Sequence, residues 1–262
     1  MVVVSPGLVR KFIESYNTLR KIYEFLESDE EVQSLVDMAN IMAVGRLRYN
    51  DHGAVHSRIV SGAALEILDL LIKSGVKPTS IEFGITKNLE ESMVIVLASA
   101  YLHDIGNAVH RVNHEFVGSL LAKDIVDRML IDVMPSIEGK RRRMIRQEIL
   151  HSIYATETNT QALTVEAGVV KVADGTDMAE GRARIPYKLG KIDMHSVSAL
   201  SIKRVDILTG VYRPVSIEVT MDNFAGLFQI EAVLKPKIVS TKIAEYFEVL
   251  MKVGDKEIRV YP

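Results

Sequence analysis

The 262-residue chain contains no cysteine and no tryptophan. The first absence removes disulfides, thiolate zinc sites, iron–sulfur clusters and cysteine nucleophiles at once. Any metal must therefore be held by imidazole and carboxylate, and any covalent chemistry must do without sulfur. Neither charge is in excess: 32 Lys and Arg stand against 34 Asp and Glu, a formal charge of −2. That balance argues against a protein that coats polyanions, nucleic acid included. Long hydrophobic runs are missing as well. The most apolar stretch, Met93–Leu102, is about ten residues, too short to span a bilayer. The N-terminus, Met1–Val4 followed by Ser5-Pro6-Gly7, lacks the basic region and apolar core of a secretory signal. Together these absences predict a cytoplasmic chain with no membrane segment. What remains is an ordinary globular composition, 48% hydrophobic and 25% charged, long enough to bury a core without staples.

The hydrophobic period changes along the chain. From Leu8 to about residue 177 apolar residues recur at helical spacing. Val55, Ile59, Ala63, Ile67, Leu70 and Leu71 form one stripe, ended by Gly75 and Pro78. Glu90–His103 reads as a fully buried helix. Asn113 reads as the N-cap of a helix carrying Phe116, Leu120, Leu121, Ile125, Met129 and Leu130. Glu138–Ala155 is a further helix with Met144, Ile145, Ile149 and Ile153 inward, and Thr164–Asp174 is short and rich in small residues. Beyond His195, itself expected to be structural, strands take over. Val215, Ile217, Val219 and Met221 alternate with polar residues, Phe224–Leu234 reads as a helix, and Gly254-Asp255 joins a terminal hairpin. The fold class expected is mainly α: a helical bundle over residues 1–190 with its core at 50–185, then a small α+β module, ββαββ, over 191–262. That module suits dimerisation or ligand binding, and an exposed edge strand in it predicts a homodimer.

Six of the seven histidines fall in the helical part. His103-Asp104 places an imidazole and a carboxylate at the end of an apolar helix. Asp174 ends a second apolar helix, where a carboxylate is costly unless paired or metal-bound. Imidazole with carboxylate suits divalent iron, manganese, zinc or magnesium. Arg58 follows His56 closely, and Arg is the residue type expected on phosphate oxygens. His52 and His110 each stand four residues before another histidine, but neither pair carries the following Glu of a zincin, so both are expected to cap or to support other ligands.

The ordered series His56…His103-Asp104…Asp174 resembles the HD-domain metal-dependent phosphohydrolase superfamily. The resemblance covers about residues 50–185 and extends to the contexts HSRIVSGAALEIL, ASAYLHDIGN and VVKVADGTDMAEGRAR. It implies an HD-type helical bundle, one or two divalent metal ions held by those four residues, and hydrolysis of phosphate esters, usually of nucleotides. His114, within His114-Glu115-x-x-Gly118, resembles the third-histidine element of the two-metal branch that includes the HD-GYP phosphodiesterases, and His151 resembles its next ligand. With both included, the resemblance implies a binuclear site of His56, His103, Asp104, His114, His151 and Asp174. Asn107 stands where that branch carries Lys, and the Gly-Tyr-Pro segment is absent, so cyclic di-nucleotide specificity is not carried over.

The function expected is metal-assisted hydrolysis of a phosphate mono- or diester, of a nucleotide above all, by activated water. Asp104 would orient the nucleophile. Lys171, one turn before Asp174, would face the same cavity as a catalytic or phosphate-binding group. Arg58, Asn107, Arg182 and Arg184 complete the candidate substrate contacts, because no Gly-rich phosphate loop is present. The alternative is a non-catalytic, metal-containing sensor or adaptor whose C-terminal module binds a partner. The one basic cluster, Lys140–Arg143 with Arg146, lacks interleaved aromatics and reads as a solvated face rather than a nucleic-acid platform.

Overall fold

The computed structural model of the protein describes residues 1–179 and 194–262. The helical part runs β1 (Val2–Val3), α1 (Arg10–Ile13), α2 (Asn17–Ser28), α3 (Glu30–Asn40), α4 (Ala54–Lys73), α5 (Thr79–Glu82), α6 (Leu89–Leu102), α7 (His114–Val133), α8 (Gly139–Tyr154) and α9 (Val165–Thr176). The remainder runs α10 (Met194–Leu200), β2 (Ile202–Thr209), β3 (Val215–Met221), α11 (Leu227–Gln229), α12 (Lys235–Val239), β4 (Phe247–Val253) and β5 (Lys256–Tyr261). The class is mainly α with a small α+β module, as the change of period predicts. The boundary at residue 190 falls within the undescribed 180–193.

Three helices make the centre. Every residue of α6 from Glu91 to Leu102 is buried, as is nearly all of α9. A helix apolar all round can only sit inside, and α4 packs against both. Side-chain caps start the two buried helices: Asn88 accepts from the amide of Glu91 at 3.0 Å, and Thr164 from that of Ala167 at 3.1 Å. Asn113 departs from its expected role. It precedes α7 in the left-handed conformation, φ 59°, and its side chain makes no capping bond. Phe116, Leu120 and Met144 also depart, lying exposed on α7 and α8, where Phe116 meets Tyr154 edge to face.

The sheet has the order β1-β2-β3-β4-β5, so the chain's first residues supply one edge. All pairs are antiparallel except β3–β4, joined by the helical crossover 224–239. That crossover is no single helix: a 3-10 turn, α11, a π turn and α12 follow one another. The inward residues Val215, Ile217, Val219 and Met221 are buried as the alternation predicts. Ser216 and Glu218 between them are buried too, Glu218 pairing with Lys252 at 2.6 Å. The sheet's inner residues and the helical bundle share one continuous core.

The small residues of α9 admit the C-terminal module. A Cβ at Gly168 would lie 2.8 Å from Ile243, and one at Gly175 would lie 3.1 Å from Leu234 and 3.2 Å from Lys237.

Where α8 meets α9, Glu148 faces the fully buried Glu166, and one oxygen of each lacks a hydrogen-bond partner among the described residues. Burial and the neighbouring carboxylate push Glu148 up to about 7, from an ordinary 4.5. A carboxyl whose folded pKa lies above its unfolded value favours the native state at low pH and loses that contribution as pH rises between the two values. Stability should therefore fall from about pH 4.5 to 7 through this group, and Glu148→Gln should flatten that slope and melt above the wild type at pH 8. Thermal melts across the range check this; an unchanged slope would mean that the carboxyl is ionised in the fold.

Candidate metal centre

The buried helices end at one place. His56 lies in the first turn of α4, His103 and Asp104 close α6, and Asp174 lies in the last turn of α9. The Nδ1 of each of the two imidazoles is already committed. His56 Nδ1 donates to Asp177 Oδ2 at 2.6 Å, and His103 Nδ1 donates to the carbonyl of Ala100 at 2.8 Å. A carbonyl and a carboxylate can only accept, so the proton sits on Nδ1 in both neutral rings and each Nε2 presents a lone pair. These two lone pairs face each other at 3.2 Å. Asp104 Oδ2 and Asp174 Oδ1 lie 3.3 and 3.2 Å from His56 Nε2, and 3.4 and 3.6 Å from His103 Nε2.

Four acceptors thus converge with no donor of their own, which is the donor set of a cation site. One ligand atom each of His56, His103 and Asp174 lies within 4.8 Å of the others, and the same holds for His52, His56 and Asp104. The residues fit a divalent metal. With protein atoms alone, a proton takes that place: although burial works against its charge, His103 is pushed up to about 9 by Asp104 and Asp174. Burial likewise works to raise both carboxyls, yet the adjacent cationic groups, His103 and His52 for Asp104 and Lys237 for Asp174, hold them well below the usual carboxylate range.

A second tier fixes Asp104. His52 Nδ1 donates to its Oδ2 at 2.5 Å, and Asn107 Nδ2 donates to its carbonyl and to Oδ1, both at 3.0 Å. His114 Nε2 lies 3.2 Å from Oδ1, while its Nδ1 donates to the carbonyl of Arg111 at 3.0 Å. The close approach that brings α7 here depends on Gly106, where a Cβ would lie 1.9 Å from the His114 carbonyl oxygen. A cavity of about 220 Å³ opens beside the carboxylates, bounded also by His52, Arg111, His114, Thr158 and Lys237.

Of the residues expected at the site, His56, His103, Asp104, Asp174 and His114 come together. Asn107 is adjacent, but its amide is spent on Asp104 rather than on the cavity. His151 does not join them: its Nε2 accepts from the amide of Leu163 at 3.2 Å. Lys171 is on the expected side of α9, yet its ammonium donates to the carbonyls of Glu157, Thr158 and Thr160 at 2.7, 3.2 and 2.6 Å. Arg58, two residues beyond His56 and so turned away on the helix, makes a bidentate pair with Glu27 at 2.8 and 2.5 Å. In the basic cluster Arg141 pairs with Glu91 and Arg146 with Asp127. Arg182, Arg184 and the side chain of His195 lie outside the described residues. His52, expected to cap or support other ligands, does so through Asp104. Asp177, Arg111 and Lys237 are the participants that spacing left unmarked, and of these Asp177, three residues after Asp174 and so one turn on, carried a sequence signal.

A family model described as HD domain matches residues 53–179. The chain is 44% identical over 242 residues, 92% of each chain, to an uncharacterized protein of Methanocaldococcus jannaschii. No solved structure matches. No helix among the described residues is long and apolar enough to cross a membrane.

Removing the Asp177 carboxylate should free the His56 ring and its tautomer. Asp177→Asn should weaken divalent-metal binding by roughly 10- to 100-fold, the usual effect of losing a carboxylate behind a ligand histidine. Calorimetric titration with manganese or zinc reads this directly, and unchanged affinity would show that Asp177 does not orient His56.

Proposed function

The chain belongs to the HD-domain family of metal-dependent phosphohydrolases, and from that premise we propose that it hydrolyses a phosphate ester of a small molecule, a nucleotide being the class expected, with a divalent metal at the centre. The observation that carries this reading is the pair of Nε2 lone pairs facing each other beside two carboxylates. His56, His103, Asp104 and Asp174 would hold the ion. When bound, such an ion acidifies a water molecule and neutralises phosphoryl charge.

The remaining work falls to the chain's own groups. Asp104, oriented by His52 and Asn107, directs Oδ1 toward His114 and can accept a proton from a water held there. His114 keeps Nδ1–H on the Arg111 carbonyl, so its Nε2 accepts from Arg111 Nη1 and holds that guanidinium at the cavity. Lys171 secures the 157–160 segment, and with it Thr158 on the cavity wall. His52, His56 and Asp104 offer a second grouping of ligand atoms, an alternative place for the same ion because it shares His56. The exposed edge of β5 is the surface we propose for pairing with a second copy of the chain.

Purified protein should bind manganese, and with it should release phosphate from one or more nucleotides or simple phosphate esters. His103→Ala and Asp174→Ala should each lower that activity by at least about a hundredfold, since each removes a ligand outright. Elemental analysis alongside a substrate screen checks both points. Failure to bind any divalent ion under loading conditions would overturn the reading.

A further inference from the structure

The metal ligands all come from the helical bundle, yet one wall of their cavity does not. Ala232, Val233 and Lys237 reach it from the crossover 224–239 of the C-terminal module. Lys237 Nζ donates to Asp174 Oδ2 at 2.7 Å and to the carbonyl of Thr156 at 3.0 Å. Only 12% of its side chain is exposed. An ammonium has three donors, and those two bonds leave one N–H to serve the cavity that the residue lines. Arg111 stands on the same cavity, with Nη1 placed 3.2 Å from Asn107 Oδ1 and 2.9 Å from His114 Nε2. A guanidinium carries five N–H groups, so further donors are available there as well.

Charge explains why a phosphohydrolase would need both. Asp104, Asp174, Asp177 and Glu115, which also lines the cavity, together exceed the charge of a single divalent ion, and a phosphate dianion entering such a site would meet a negative field. Two cations at the rim offset that excess in a region of low dielectric, where it matters most. The rest of the cavity favours a phosphate over a base: among its described residues no phenyl or phenol ring is present to stack a nucleobase, while Thr156 and Thr158 belong to its wall. Gly175 makes room for the lysine, since a Cβ there would crowd its Cδ at 3.2 Å.

We infer that Lys237 and Arg111 form a phosphate-binding pair over the metal centre, so that the C-terminal module completes the substrate pocket of the helical bundle. This rests on the phosphohydrolase reading above. Lys237 holds Asp174 through Oδ2, which leaves Oδ1 to the ion, and its remaining N–H serves the phosphate.

The two roles of Lys237 predict effects of opposite sign. In the full-length protein, Lys237→Met should bind manganese severalfold more tightly, because a competing cation has left Asp174. The manganese-loaded variant should bind inorganic phosphate at least tenfold more weakly. Lys237→Arg, which keeps the charge, should stay within about threefold of wild type for phosphate, charge-assisted bonds being retained. Lys235→Met, on the same helix and paired outward with Glu231, should change neither. Arg111→Gln should weaken phosphate binding as well. Titration calorimetry with manganese alone, then with phosphate on the loaded protein, separates the outcomes. Wild-type protein that takes no manganese would sink the phosphohydrolase reading and this inference together. If manganese binds but phosphate does not, or if phosphate binds equally well to Lys237→Met, the inference alone falls. Loss of both affinities together in a folded Lys237→Met would assign the lysine a structural role and also overturn it. Should Lys237→Met fail to fold, unchanged phosphate binding by Arg111→Gln would do the same.

Discussion

Two imidazole nitrogens that both offer lone pairs to the same point are an arrangement no protein interior keeps for its own sake. The constraint originates one bond further out. Asp177 takes the Nδ1 proton of His56 and the Ala100 carbonyl takes that of His103. With those protons fixed, neither neutral ring can donate to the other, and the carboxylates of Asp104 and Asp174 add acceptors rather than donors. Converging buried acceptors repel one another, so the cluster calls for a positive charge, as an ion or as a proton. The raised pKa of His103 is the protein-only answer to that demand. The family's divalent ion is the other.

The architecture follows from having to build such a point. Each ligand must approach from a different direction and be held to a fraction of an ångström. Helices apolar on all sides, α6 and α9, give up amphipathicity to run through the core and stop at the site. Their polar residues at that end are the ligands themselves. α7 arrives through Gly106, whose missing side chain lets two backbones touch. The C-terminal sheet then closes the last side. It is tied to the start of the chain by β1 and to α9 through Gly168 and Gly175, so bundle and sheet share a core and the cavity between them has fixed walls.

The ligand series was legible in the sequence because its physical signature is local: an apolar helix that ends on His-Asp, or on Asp after small residues, leaves little else for the polar group to do. The fold class was legible for the same reason, the period switching from helical to alternating near residue 195. What lay beyond reach was the destination of side chains. Periodicity reports which face a residue occupies, not where a long tip ends. Lys171 lies on the anticipated face of α9, but its ammonium turns to the 157–160 carbonyls. His151 stands on α8 in plausible order, yet its ring meets the Leu163 amide. His52 looked like a supporting group and is one, through Asp104, although it also offers a ligand atom of its own. Phe116 and Leu120 are apolar and exposed, which the pattern of α7 does not distinguish from core. Lys237 comes from 63 positions beyond Asp174, a separation at which only the fold can introduce two residues.

The two buried lysines near the site show how partner chemistry divides a structural role from a functional one. Lys171 has its three donors on three neutral carbonyls, and among the described residues no anion bonds its ammonium. Dipoles repay desolvation less fully than a charge does, and burial accordingly pushes that lysine down to about 8. Its bonds close on a single chain segment and use all three donors, so in this geometry it holds the segment. Lys237 has a carboxylate, one carbonyl and a donor to spare. Its principal partner is also a candidate metal ligand, held through Oδ2 while Oδ1 faces the imidazoles. A cation with a donor to spare beside a candidate metal ligand is placed to meet an anion in the cavity, which in the proposed phosphohydrolase reading is the substrate's phosphate. The same geometry that neutralises Asp174 would, in that reading, place a positive charge where an incoming phosphate requires it.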